Sequence, residues 1–171
     1  MILKGPHQKV NIVVRALIVR QDHLLLSHLV GGTWFPVGGR VEFGETLLEA
    51  LYRETLEETG APVLTHRLLY TNENFFTLSG RHFHEFGWFY LVEVDRPVTP
   101  EEGPHPDDPD LRLAWVPLSR LASIPLFPAF LRSLIPSDAA RSFSQPLRHV
   151  VSHSTDSKED HTVLFPGMPG A

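Results

Sequence analysis

The first thirty residues alternate between short apolar runs and single polar positions. Residues 9–19 are rich in the β-branched amino acids Val and Ile, and residues 22–30 follow them directly before the Gly31-Gly32 pair. Apolar runs of this kind that are bounded by glycine pairs are typical of strands that end in a turn. The pattern therefore predicts two strands followed by a break.

Between Glu45 and Thr59 the apolar spacing changes to a helical period. Side chains recur at intervals of three and four residues, which places them on one face of a helix. Gly60 stands where helices commonly end in a left-handed residue, and Pro62 prevents the helix from continuing. The sequence predicts one amphipathic helix whose buried stripe consists of Leu48, Leu51, Tyr52, Thr55 and Leu56.

Turn signals divide the second half of the chain into shorter elements. Three strands are predicted there, at residues 63–71, 81–94 and 111–116. Ser79-Gly80 is predicted as a turn, and the acidic, proline-rich stretch 95–110 as a long exposed loop. Two short helical pieces are predicted near the end, at residues 118–121 and 128–134. This order indicates an α/β fold with helices packed on a mixed sheet.

After Pro136 the composition becomes polar, and large apolar residues become rare. Residues 148–153 and 161–165 are weak strand candidates in this part. We expect a domain at residues 1–136 and a C-terminal tail or extension at residues 137–171 that is dispensable for chemistry. The alternative is that residues 148–151 add a strand to a sheet edge or to a dimer partner, in which case truncation would expose that edge and aggregate the protein.

Composition and charge exclude several classes of protein. The chain has 171 residues, of which 42% are hydrophobic and 20% charged, which suits one globular domain better than a disordered chain. Lys and Arg number 15 and Asp and Glu number 20, so the net charge of −5 argues against binding extended nucleic acid. With no Cys, disulfides and thiolate metal sites are excluded. The N-terminus has no apolar signal region and no membrane span, so we expect a soluble cytoplasmic protein.

Three glutamates on the predicted helix carry the strongest chemical signal. Glu54, Glu57 and Glu58 are three and four positions apart and share one face, where like charges repel. No Lys or Arg lies at positions 54–66 to relieve that repulsion. Hard cations take carboxylate oxygens, so Mg²⁺ or Mn²⁺ is the natural counter-ion. The glycine pair Gly38-Gly39 before the helix allows a close backbone approach to an ion or an anion.

The full spacing of this segment resembles the signature of the Nudix hydrolases. Its seven fixed positions are Gly39, Glu45, Arg53, Glu54, Glu57, Glu58 and Gly60. Seven matches of this kind coincide by chance about once in 10⁸ positions. The lead-in at residues 34–39 and the late strand at residues 111–118 are also similar to that family, and the resemblance covers residues 9–135. Thr55 and Pro36 depart from the usual pattern at positions that concern packing.

The resemblance implies an α/β/α sandwich with a mixed sheet that hydrolyses a nucleoside diphosphate linked to another moiety. By matching positions, the metal ligands would be Glu54, Glu57, Glu58 and the Gly39 carbonyl. Arg53 would hold the carboxylates in register through Glu45, Glu49 or Glu57. Water would attack phosphorus with the help of the metal. The alternative role for Glu54 or Glu57 is to orient that water instead of binding the metal.

Other candidates for the site lie outside the helix. The general base of similar enzymes sits either on this helix or in a loop before the last strand, so Asp107, Asp108 and Asp110 are candidates. The substrate-binding candidates are Arg15, Arg40, Phe75 and Phe76, the arginines for phosphate and the aromatic rings for stacking. For His82 and His84 we favour hydrogen-bonded histidines over a second metal site.

The resemblance leaves the substrate and one alternative function open. ADP-ribose, nucleoside triphosphates, oxidised dGTP, nucleotide sugars and dinucleoside polyphosphates all contain the diphosphate that the motif recognises. A catalytically inactive nucleotide-binding sensor is the alternative, although the intact Arg53, Glu54, Glu57 and Glu58 argue against it. A glycosidase is disfavoured, because it places two carboxyl groups across a cleft. A homodimer is a common form of the family.

Overall fold

A computed structural model describes residues 7–29, 32–100, 110–155 and 158–165 of the chain. The strands are β1 (Gln8–Leu17), β2 (Val19–Arg20), β3 (His23–Leu29), β4 (Trp34–Pro36), β5 (Val63–Leu78), β6 (Arg81–Val94), β7 (Leu111–Pro117), β8 (Arg148–Thr155) and β9 (Lys158–Phe165). The helices are α1 (Leu47–Thr59), a 3₁₀ helix (Leu118–Ser123) and α2 (Leu131–Ala139). Over the described ranges, none of these helices has the length and apolar character of a membrane span.

Two sheets and two helices form a layered α/β structure. The larger sheet has the strand order β1-β6-β5-β8-β9, with β1 parallel to β6 and β5 parallel to β8, whereas β5 and β6 are antiparallel. In the smaller sheet, β3 pairs with β2, β4 and β7, and its pairing with β7 runs along the whole of β3. Phe89 packs with Leu131 and Ile135 of α2, while its neighbour Tyr90 packs with Leu51 of α1. Successive strand residues face opposite ways, so the expected sandwich with a mixed sheet is confirmed.

Side-chain and backbone caps define both ends of α1. Thr46 accepts a hydrogen bond from the backbone N–H of Glu49, and the Glu49 carboxylate accepts one from the Thr46 backbone N–H. This reciprocal pair satisfies two donors that a helix N-terminus otherwise leaves unpaired. At the other end Gly60 adopts a left-handed conformation with φ of 67° and donates its N–H to the Leu56 carbonyl. The helix therefore ends at the glycine where the sequence predicted an end.

The buried face of α1 differs from the predicted stripe. Leu51 and Thr55 are buried together with Ala50, but Leu48, Tyr52 and Leu56 are exposed. The prediction was wrong for these three residues because they form a separate row with a spacing of four, to one side of the face that packs on the sheet. The small side chain of Ala50 permits close packing, and a pattern that seeks large residues overlooks it.

Strand β5 extends well beyond its predicted end. It continues past Thr71 to Leu78, because residues 71–78 pair with β6 in a continuous antiparallel register. The two strands are joined by Ser79 and Gly80, whose φ values of 50° and 74° are both positive. Two successive left-handed residues suit the tight turn that matches the twist of a hairpin. Phe75 and Phe76 therefore lie within a strand and not in a loop.

The residues after Pro136 join the same sheet and core. Pro136, the expected boundary, falls inside α2, and β8 pairs in parallel with β5. Val150 is fully buried in the core on the α2 side of the large sheet. Residues 137–155 therefore share the sheet and the core of the residues before them, and residues 148–151 do pair with a neighbouring strand. That this extension is dispensable for chemistry stays a prediction.

A buried polar cluster attaches this extension to the rest of the protein. The carboxylate of Asp138 accepts hydrogen bonds from the Tyr70 hydroxyl and from the Arg148 guanidinium. The side chains of Asp138 and Arg148 are only 4% and 19% exposed, and the guanidinium lies over the Tyr70 ring at 5.1 Å. Burial and the Asp138 carboxylate raise the pKa of Tyr70, so its hydroxyl remains a donor at all ordinary pH values. The cluster joins α2, β5 and β8.

We predict that Arg148→Ala lowers the free energy of unfolding by about 3 kcal/mol, because it leaves the Asp138 carboxylate buried without its charge partner. Urea unfolding monitored by circular dichroism measures this value. Arg141→Ala is the matched control, since Arg141 is exposed in the same segment and surface changes usually stay within about 0.5 kcal/mol. Equal effects of the two substitutions would show that the buried pair does not fasten the extension.

Candidate active site

The glycine loop before α1 is fixed along the edge of the larger sheet. Backbone N–H groups of Ala16 and Val14 donate to the carbonyls of Val37 and Gly39 at 2.8 and 3.0 Å, and Val41 donates to Ile12 at 3.0 Å. Gly38 has a φ of 128°, and a Cβ there would lie 3.0 Å from the Arg15 Cα. Only glycine fits such a position without strain. The loop is therefore held beside β1 as firmly as a short strand.

Gly39 brings this loop into contact with the Glu54 carboxylate. A Cβ added at position 39 would lie 2.6 Å from the carboxylate carbon of Glu54, which is closer than real Cβ contacts come. The Gly39 carbonyl accepts the Val14 N–H, and a carbonyl has a second lone pair for another partner. The absence of a side chain at Gly39 therefore allows a backbone oxygen and a carboxylate to lie side by side.

Arg53 donates hydrogen bonds to several carboxylates on α1 and in the loop before it. Its Nε and Nη2 atoms donate to the two oxygens of Glu45 at 2.8 and 3.0 Å, and Nη1 donates to Glu54 at 2.8 Å and to Glu57 at 3.2 Å. Nη2 also donates to the backbone carbonyl of Arg40 at 3.2 Å, which ties the helix to the loop. Hydrogen bonding to Arg53 lowers the pKa of Glu45 to about 2. The hydrogen bonds and charges of Glu45 and Glu54 raise the pKa of Arg53.

These contacts relieve the repulsion between Glu54 and Glu57, which the sequence left uncompensated. Arg53 lies just before the stretch 54–66 that lacks a basic residue, and it pairs with Glu45, Glu54 and Glu57 together. Glu49, the other expected partner, instead caps the helix through Thr46. Bidentate Arg–carboxylate contacts such as the one to Glu45 fix orientation as well as charge. The carboxylates thus have a defined arrangement.

Glu58 points away from Arg53 toward the second sheet. Its Oε1 atom accepts the backbone N–H of Gly38 at 2.8 Å, and Oε2 accepts the hydroxyl of Ser27 on β3. Burial raises the pKa of Glu58, against the opposing effect of these two hydrogen bonds and of the Arg15 charge. Ser27 was not identified from the sequence. The one available signal was a hydroxyl directly after three leucines in a predicted strand.

The site suits a divalent cation in its donor chemistry. Among the residues that the structure describes, no three His, Asp or Glu side chains converge as a ready-made ion site. Arg53 holds Glu54 and Glu57, while Glu58 is turned to Ser27 and Gly38. The donors are nevertheless carboxylate and carbonyl oxygens, which Mg²⁺ and Mn²⁺ prefer. The space beside Gly39, which a Cβ would fill, lies directly against one of them.

The two arginines proposed for phosphate binding occupy different environments. The Arg15 guanidinium donates to the carbonyls of Pro36 and Gly38 and lies 5.6 Å from the centre of the Phe35 ring. Arg15 thus braces the glycine loop from the sheet. Arg40 is exposed at the end of that loop. Phosphate binding by Arg15 or Arg40 remains a prediction.

Phe75 and Phe76 lie on opposite faces of β5. Phe75 is stacked between His84 and His153, with ring centres 4.1 and 4.8 Å apart, on the face that α1 covers farther along. Phe76 is stacked on Phe83 at 4.7 Å, on the face that also carries Arg15. Neighbouring strand residues cannot share a face. The two rings therefore cannot serve one binding surface together.

Of the three loop carboxylates, Asp107 and Asp108 lie outside the described residues. Asp110 is exposed and directly precedes β7. Because Leu111 pairs with Leu29 and Leu113 with Ser27, Asp110 stands at the end of β3 nearest to Ser27. The role of Asp110 as a general base remains a prediction.

We predict that Gly39→Ala lowers hydrolytic turnover by about 10²-fold, because the new methyl group must displace the Glu54 carboxylate and misplacement by an ångström can cost that much. The Gly39 backbone is outside the left-handed region, so the melting temperature should change little. Gly80→Ala is the contrasting control: its φ of 74° makes Ala strained, but open space surrounds it. Gly80→Ala should lower stability and spare turnover. A Gly39→Ala protein with turnover within threefold of wild type would contradict this account.

Comparison with known proteins places the chain in a family. A sequence model of the NUDIX domain matches residues 9–137. The human protein named 8-oxo-dGDP phosphatase NUDT18 is 29% identical over 147 residues, which cover 81% of this chain and 41% of that protein. Putative nudix hydrolase 1 of Caenorhabditis elegans is 42% identical over 62 residues, covering 32% and 17%. The chain thus spans less than half the length of these curated relatives.

Solved structures agree with the architecture. A MutT protein from Bacillus halodurans superposes with a TM-score of 0.68 at 23% identity, over 92% of this chain and 99% of that one. A NUDIX hydrolase from Nitrosomonas europaea gives a TM-score of 0.53 at 23% identity, over 78% and 90%. At such identities the likeness concerns the fold. Together with the matched domain and the Arg53-centred glutamates, it identifies the chain as a member of the Nudix family.

Proposed function

We propose that this chain is a divalent-metal-dependent hydrolase that cleaves the phosphoric anhydride bond of a nucleoside diphosphate derivative. The observation that carries the proposal is the arrangement of Glu54, Glu57 and Glu58 around Arg53 and the glycine loop. In a merely solvated acidic surface, one guanidinium would not hold Glu45, Glu54 and Glu57 together. Membership of the Nudix family supports the same reaction class.

The metal would be held by Glu54, Glu57, Glu58 and the Gly39 carbonyl. When bound, Mg²⁺ or Mn²⁺ supplies charge neutralisation on the diphosphate and acidifies water. Arg53 holds Glu54 and Glu57 through hydrogen bonds, and Gly38 and Ser27 hold Glu58. The protein's contribution is thus a set of oxygen donors that hydrogen bonds to the protein orient in advance.

Glu57 is the carboxylate best placed to accept a proton from the attacking water. Its side chain is 48% exposed, compared with 16% for Glu54, and Glu58 has both oxygens engaged. In the proposed reaction water attacks phosphorus, the bond between phosphorus and the bridging oxygen breaks, and the leaving phosphate takes the electron pair. Glu57 accepts the proton from the water. Asp110 is the other candidate for this role.

For the substrate we propose a small nucleoside diphosphate derivative whose base is bound together with its phosphates. The name of the human relative, 8-oxo-dGDP phosphatase, supports a small nucleotide of this class. Phe76 and Phe83 offer stacked rings on the same sheet face as Arg15. From strand spacing and rise, Phe76 is roughly 20 Å from Arg40, which suits an extended nucleotide derivative and not a single phosphate.

We predict hydrolysis of at least one compound in a panel of nucleoside di- and triphosphates, oxidised guanine nucleotides, nucleotide sugars and ADP-ribose with Mg²⁺ or Mn²⁺. Phosphate and nucleotide release are the readouts. Excess EDTA should abolish the reaction, and Glu57→Gln should lower kcat at least about 10²-fold. The control Glu93→Gln changes an exposed glutamate on β6 and should retain full activity. Full activity in EDTA, or a Glu57→Gln enzyme as active as the control, would refute the proposal.

A further inference from the structure

Ser27 is a buried hydroxyl in an otherwise apolar strand. It follows Leu24, Leu25 and Leu26, all fully buried, and is itself 3% exposed. Burying a hydroxyl without a hydrogen-bond partner is costly. The backbone of β3 is already paired on both sides at this point, with Phe35 of β4 and Leu113 of β7. The neighbouring backbone groups are thus used in strand pairing, and the hydroxyl needs a partner outside the sheet.

The partner of Ser27 is the Glu58 carboxylate, on a helix 31 residues farther along the chain. The hydroxyl donates to Oε2, while the Gly38 N–H donates to Oε1 at 2.8 Å. Two donors on the two oxygens fix the plane of the carboxylate, which one donor alone would leave free to rotate. An ionised carboxylate has about four lone-pair sites, so two donors leave acceptor sites for a cation.

The same arrangement links three parts of the fold at one carboxylate. Ser27 belongs to the smaller sheet, Gly38 to the loop along the larger sheet, and Glu58 to α1. Arg15 holds the Gly38 carbonyl from the sheet side. Ser27 is thus the only contribution of β3 to this set of hydrogen bonds among the described residues.

We propose that Ser27 is a positioning residue that orients Glu58 for binding a divalent cation. The inference rests on the proposed metal-dependent function. Groups that hydrogen-bond to metal ligands fix ligand orientation, and their loss commonly weakens metal affinity by about 10- to 100-fold. Ser27 acts only through Glu58 and does not contact the substrate.

The test is Mn²⁺ titration of the full-length protein without substrate, followed by electron paramagnetic resonance or calorimetry. Ser27→Ala should raise the Kd for Mn²⁺ by about 10- to 100-fold and lower kcat more than it changes KM. Ser27→Thr retains the hydroxyl and should recover most of the affinity. Ser152→Ala is the matched control, because Ser152 is 1% exposed in β8 and its hydroxyl accepts from Asn72 far from Glu58. Its Kd should equal that of wild type.

The outcomes separate this inference from the proposed function. If wild type binds Mn²⁺ and Ser27→Ala binds it equally well, the positioning role is refuted while the hydrolase proposal stands. If wild type binds no Mn²⁺, the metal-dependent function itself fails, and the positioning role with it. If Ser27→Ala does not fold, Ser27→Cys retains the size with a weaker donor, and an unchanged Kd in that variant overturns the inference.

Discussion

The guanidinium of Arg53 is the interaction on which the acidic site depends. Glu54 and Glu57 on one side of α1 would repel each other, and water would leave their side chains without a fixed arrangement. Arg53 instead donates to Glu45, Glu54 and Glu57 and to the Arg40 carbonyl. Because one planar group makes all of these contacts, the helix, the loop and the carboxylates have a common geometry.

The rest of the fold holds that geometry from two sides. The glycine loop is bonded to the edge of β1, and Arg15 binds two of its carbonyls. From the smaller sheet, Ser27 reaches Glu58. The site is therefore built where two sheets and α1 meet. The C-terminal extension adds β8 and β9 at the edge of the larger sheet opposite to β1, and Asp138 and Arg148 fasten that extension to Tyr70.

Local signals in the sequence predicted the parts of the structure that depend on local chemistry. Gly60 ended α1 as expected, and the glycine pair approaches the predicted acidic face, with Gly39 against Glu54 and Gly38 bonded to Glu58. The buried face of α1 was partly wrong, because Leu48, Tyr52 and Leu56 remain exposed. Helical periodicity gives the rows of a helix but does not say which row meets the sheet.

Contacts between distant residues could not be predicted in the same way. Ser27 and Glu58 are brought together by the tertiary fold, in which Leu25 of β3 and Leu51 of α1 share one hydrophobic cluster, and no local pattern encodes this contact. Phe75 and Phe76 are candidates for base stacking in the sequence, whereas the pairing of β5 with β6 sends them to opposite faces. The face on which each of these side chains lies is set by the register of strand pairing, and that register depends on all the strands of the sheet.

Anomalous diffraction at the manganese edge, from crystals grown with Mn²⁺, tests the central claim most directly. The account predicts a peak bounded by the carboxylates of Glu54, Glu57 and Glu58 and by the Gly39 carbonyl, with Arg53 still bonded to Glu45. A protein that binds Mn²⁺ in solution but shows its peak away from these three glutamates and the Gly39 carbonyl would contradict it.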